Sequence, residues 1–126
     1  MSSPASLPIE IHRSAERGEL QKLIKWLRKG GLVDALGSAT TRGGRPTTAL
    51  ATNTTLLQIA AAYGQLEMVR ELLKRGASVD LPSSLGGTAL MDAAAYGHLS
   101  IVLVLLQHSA SIRGMIRAFN EAGADL

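Results

Sequence analysis

Three histidines, His12, His98 and His108, and one acid early in a predicted helix, Asp92, are the side chains best suited to chemistry in this chain. An imidazole can shuttle protons or ligate a metal, and paired carboxylates can do general acid–base work. The spacing supports neither. No histidine stands four residues from another, so no helix presents a zinc-binding pair. No second acid accompanies Asp92 in its segment. With no cysteine in 126 residues, a disulfide framework and a Cys-based zinc site are also excluded. The expectation is a chain without catalytic residues, metal or cofactor.

Basic residues offer a different chemistry. The net charge of +3 is mild, but its weight lies near the N-terminus, in Arg13, Arg17, Lys22, Lys25, Arg28 and Lys29. Such a set reads as a solvated helix face, with an acidic partner as the alternative. Arg42-Gly43-Gly44-Arg45 could touch phosphates, which makes a nucleic-acid- or acidic-partner-binding accessory protein the alternative function. No aromatic residue is interleaved there for base stacking, so nucleic acid is the less favoured ligand.

The elements that must carry these residues come in copies. Thr55 to Gly64 matches Thr88 to Gly97 at a separation of 33 residues, in a register that continues through Leu66/Leu99, Val69/Val102, Leu72/Leu105 and Leu73/Leu106. An earlier copy aligns Gly18 with Gly64 at a separation of 46, matching Leu20 to Leu66 and Leu27 to Leu73. The 13 extra residues fall in a stretch rich in Gly, Thr, Ser and Ala, which reads as an enlarged loop. Each copy predicts two short helices. Thr55 and Thr88 are placed to cap the first, and Gly64 and Gly97 to end it in a left-handed turn. Leu66, Val69, Leu72 and Leu73 form the apolar stripe of the second. Gly76 stops that helix in the middle copy, where the last copy has the weaker Ser109. Leu103 and Val104 replace Arg70 and Glu71, two apolar residues at positions that are normally solvated. A single pair cannot bury its stripe alone, so the copies must stack.

Gly86-Gly87-Thr88-Ala89-Leu90-Met91-Asp92-Ala93-Ala94-Ala95-Tyr96-Gly97-His98 and Val69-Arg70-Glu71-Leu72-Leu73-Lys74-Arg75-Gly76-Ala77 resemble the two halves of the ankyrin repeat. The resemblance runs from about Pro8 to Leu126, apart from the loop. It departs from the family pattern where Glu10, Leu56 and Ala89 replace its proline, and where Gln58 and Met91 replace its histidine. It implies an all-α solenoid of helix-turn-helix units joined by hairpin-like loops, with units near 8–34, 54–82 and 83–113, a loop at 35–53, and a truncated copy at 114–126. In that last copy Ile116 and Phe119 are expected to cover Leu103 and Val104.

The resemblance further implies a non-enzymatic module that binds another protein through a concave face. By position, that face comprises Glu16, Arg17, Ala62, Tyr63, Ser84, Leu85, Gly87, Ala95 and Tyr96. Arg17, Tyr63 and Tyr96 share one slot in successive copies and are expected to form a ladder. Any self-association is expected through the C-terminal repeat. The longest apolar run, 99–106, is too short to span a bilayer. A cytoplasmic setting is expected, with a nuclear one as the alternative.

Overall fold

In the computed structural model, which describes residues 7–37, 54–84 and 86–124, helices come in antiparallel pairs. The first pair is α1 (Ile9–Arg17) and α2 (Leu20–Arg28), the second α3 (Leu56–Ala62) and α4 (Leu66–Lys74), and the third α5 (Ala89–Ala95) and α6 (Leu99–Ala124). The inner helices stack in the order α1, α3, α5, and α4 packs on α6 behind them. The run 99–106, whose Val and Ile content could suit a strand, is helical. Thr55 and Thr88 cap α3 and α5, each accepting a backbone N–H three residues on.

The core is thin and made of aliphatic side chains. Leu23, Leu56, Leu57, Ile59, Met68, Val69, Leu72, Ile101 and Leu105 are buried, with Ala15, Ala60, Ala61, Ala89 and Ala93 between them. Alanine at the helix contacts lets the backbones approach closely, and the leucines fill what remains. Burial of one such leucine contributes about 1.5–3 kcal/mol, so each junction draws on only a few large side chains.

The enlarged loop is pinned at its base. Gly37 and Thr54 exchange backbone hydrogen bonds of 2.9 and 3.0 Å in an isolated antiparallel bridge. Residues 38–53, including Arg42 and Arg45, lie outside the described residues.

The C-terminal segment departs from expectation. A break near 113 followed by a separate short copy is absent, and α6 runs on without interruption to Ala124. Ser109 is no helix stop, and a single Gly114 inside a helix costs only about 1 kcal/mol relative to alanine. Ile116 therefore does not fold back over Leu103. Both sit on one helix and both are exposed, while Val104 is half-buried. The side chain of Phe119 lies outside the described residues.

Candidate functional site

The units are joined by a side-chain bond made twice in the same way. Gln65, the residue just before α4, donates through Nε2 to the carbonyl of Glu16 at 2.8 Å. His98, 33 residues further on, places Nε2 3.0 Å from the carbonyl of Ala62. Each side chain lies against a glycine of the preceding unit in a left-handed conformation: Gly18 (φ 74°) under Gln65, and Gly64 (φ 75°) under His98. A Cβ on Gly64 would come within 2.7 Å of the imidazole. This turn therefore needs glycine both for its backbone angle and for the space.

Gln58 supplies a second junction. Its Oε1 accepts from the backbone N–H of Thr55 at 2.9 Å while its own N–H donates to Thr55 Oγ1, completing a capping box. Its Nε2 then reaches into the next unit's loop and donates to the carbonyls of Leu81 and Gly87. Sequence reasoning saw Gln58 only as a departure from histidine. The T-x-x-Q spacing from Thr55 was the available signal. A third tie joins the loops, where Ser78 donates N–H and Oγ–H to the two carboxylate oxygens of Asp34 at 2.9 and 2.7 Å. The equivalent position one unit on, Ser111, lies inside α6.

The titratable residues are structural in placement. His12 is buried on α1, with Nε2 3.0 Å from a Glu16 carboxylate oxygen. Burial outweighs the attraction of Glu16 and lowers its pKa, so the ring is neutral near pH 7 and donates to Glu16. Asp92, in the first turn of α5, has its pKa raised to about 6 by burial. His12, His98 and Asp92 do not converge. Among the described residues no group of three or more His, Asp or Glu side chains could hold a metal ion.

Of the nine residues assigned to the concave face, several hold comparable places. Tyr63 and Tyr96 are the C-caps of α3 and α5, both half-buried, and Ser84 and Ala95 are exposed. Ala62 is a correction. It is only 3% exposed, because the third unit covers it, so it contributes packing and a carbonyl acceptor rather than contact surface. Glu16 is half-buried and occupied by His12, and the Gly87 carbonyl is held by Gln58 and by the N–H of Ser83. Leu85 lies outside the described residues. Arg17, in the tyrosines' slot, lines a different feature, a depression on the outward side of the first unit.

Comparison with known proteins gives one family match, described as ankyrin repeats (3 copies), over residues 11–115. No curated protein matches the chain. Among the described residues no helix is long and apolar enough to cross a membrane.

Proposed function

The chain belongs to the ankyrin-repeat family, and from that premise we propose that it binds another protein through the concave side of its inner helices. Ankyrin repeats are generally protein–protein interaction modules and typically non-catalytic. On this reading the units run near 8–34 and 54–82, with the third beginning near 83 and ending in α6, and the module works in the cytoplasm or nucleus.

The observation that carries the proposal is the repeated placement of Tyr63 and Tyr96. Each caps an inner helix at the same place in its unit, and each is half-buried. Aromatic anchors of this kind lose little conformational freedom on binding and offer a large contact area with a polar tip. Ser84 and Ala95 are exposed as well.

Affinity capture from the source cells, with wild-type protein and a Tyr63→Ala/Tyr96→Ala variant checked for folding by circular dichroism, tests the reading. The variant is expected to stay folded and to lose the partner captured by the wild type. Unchanged capture by a folded variant would exclude the tyrosines as anchors.

A further inference from the structure

The first unit's outward side carries a basic depression that the concave-face reading does not use. Arg13, Arg17, Lys22, Lys25 and Lys29 surround an open hollow of about 590 Å³ between α1 and α2. Trp26 and Ile11 provide its apolar lining. The indole lies against Gly31, where an added Cβ would come within 2.4 Å of the ring. Lys22 is engaged with Glu19 at 3.0 Å. Among the described residues, Arg13, Arg17, Lys25 and Lys29 form no ion pair.

Two observations narrow what could sit there. Glu19 occupies the position that Gln65 and His98 hold in the later units. Those two donate to a carbonyl of the unit before them, whereas a carboxylate would face such a carbonyl with like partial charge. The face is therefore not built to receive another unit of the same kind, including the C-terminal end of a second copy. Glu10 and Glu19 also stand in the lining, which disfavours a polymer carrying a phosphate at every step. Trp26, the chain's single tryptophan, gives no second aromatic platform for stacked bases. A mixed surface of unpaired cations around a half-buried aromatic ring instead complements a segment that alternates carboxylates with an aliphatic anchor.

We propose that the outward face of α1 and α2 is a second binding site, taking an acidic, amphipathic segment of a partner protein. An aliphatic side chain of that segment sits on Trp26 and Ile11, and its carboxylates engage Arg13, Arg17, Lys25 and Lys29.

The test is a titration of the full chain with a synthetic Glu/Leu helical peptide of about five turns that lacks aromatic residues, read by Trp26 emission. A saturable emission change is expected, weakening as salt is raised. Lys25→Glu combined with Lys29→Glu is expected to weaken binding about tenfold or more, since both residues are exposed and reversal leaves the core intact. Tyr63→Ala/Tyr96→Ala is expected to bind the peptide as the wild type does, which separates this site from the concave face. Each of four results would overturn the proposal: no emission change, equal binding of a Glu→Gln peptide, equal or tighter binding of single-stranded DNA of similar length, or unaltered binding by a folded charge-reversal variant.

Discussion

A histidine and a glutamine are interchangeable at the two unit junctions because each offers an N–H at the same reach from its backbone. His98 meets the carbonyl of Ala62, Gln65 meets that of Glu16, and each lies over a left-handed glycine. Gly64 and Gly97 have nearly identical backbone angles, φ 75° and 74°, but only Gly64 has a ring above it. Gly64→Ala is therefore expected to cost about 2 kcal/mol or more, and Gly97→Ala only about 1 kcal/mol for the backbone angle. Urea denaturation of the two variants measures the difference, and equal losses would show that the imidazole yields freely. Asp92 gives a prediction in pH. Its pKa rises from 3.8 to about 6 on folding, so the folded state holds its proton more tightly and the residue opposes folding most above pH 6. That cost is relieved as pH falls from about 6 towards 4. His12 acts in the other direction. Its lowered pKa means that the unfolded chain takes up the proton first, so its contribution is lost as pH falls below 6.5. Asp92→Asn should accordingly raise the melting temperature at pH 7.5 and leave a protein that loses stability more steeply on acidification than the wild type. Melting curves from pH 7.5 to 4.5 check both parts.

At the scale of elements, the sequence announced the helices where local chemistry and repeat register agreed. Thr55 and Thr88 cap as expected, and Gly64, Gly76 and Gly97 take left-handed angles at the turns. The reading failed at α6, where family register predicted a stop and local chemistry supplied none. Ser109 supplies no glycine, proline or capping group where the stop was expected, and Gly114 alone does not end the helix. The role of Gln58 was also hidden, since its acceptors, the carbonyls of Leu81 and Gly87, lie 23 and 29 residues away. Reading residue types reveals a missing histidine but not a long-range amide bond. Gln58 is 1% exposed, and its removal leaves two loop carbonyls and the Thr55 N–H without this donor and acceptor. Gln58→Ala is expected to cost about 2–4 kcal/mol. Hydrogen exchange should show the damage concentrated in residues 81–88 as well as in α3. A loss confined to α3 would mean that the amide does not hold the loop in solution.

For the molecule as a whole, comparing equivalent positions shows where the stack closes and where it is open. Gln58 is 1% exposed and Leu73 7%, whereas their counterparts one unit on, Met91 and Leu106, are 59% and 48% exposed. Ala61 and Ala62 are buried, and Ala94 and Ala95 are exposed. The third unit thus shows the side that the second unit buries. Leu73→Lys is expected to unfold the chain or cost about 3 kcal/mol or more. Leu106→Lys should change stability by less than about 1 kcal/mol. A large loss from Leu106→Lys, particularly one that depends on protein concentration, would show that another copy covers this side. Of the residues proposed for the concave face, only the repeated placement could be read from the sequence. Register located Tyr63 and Tyr96, but burial of Ala62 and occupation of Glu16 depend on how neighbouring units meet.

The Gln65 and His98 bonds, unlike those of Gln58, also share a direction. In both, the donor belongs to the later unit and the acceptor carbonyl to the earlier one. During synthesis each new helix pair thus emerges from the ribosome with its latch already pointing at a completed neighbour, and nothing made earlier has to reopen to admit it. Assembly can keep pace with translation from the first unit onward. A pause in translation after the second unit leaves the carbonyl of Ala62 as an empty acceptor at the growing edge, beside a Gln58 amide that still awaits the carbonyls of Leu81 and Gly87.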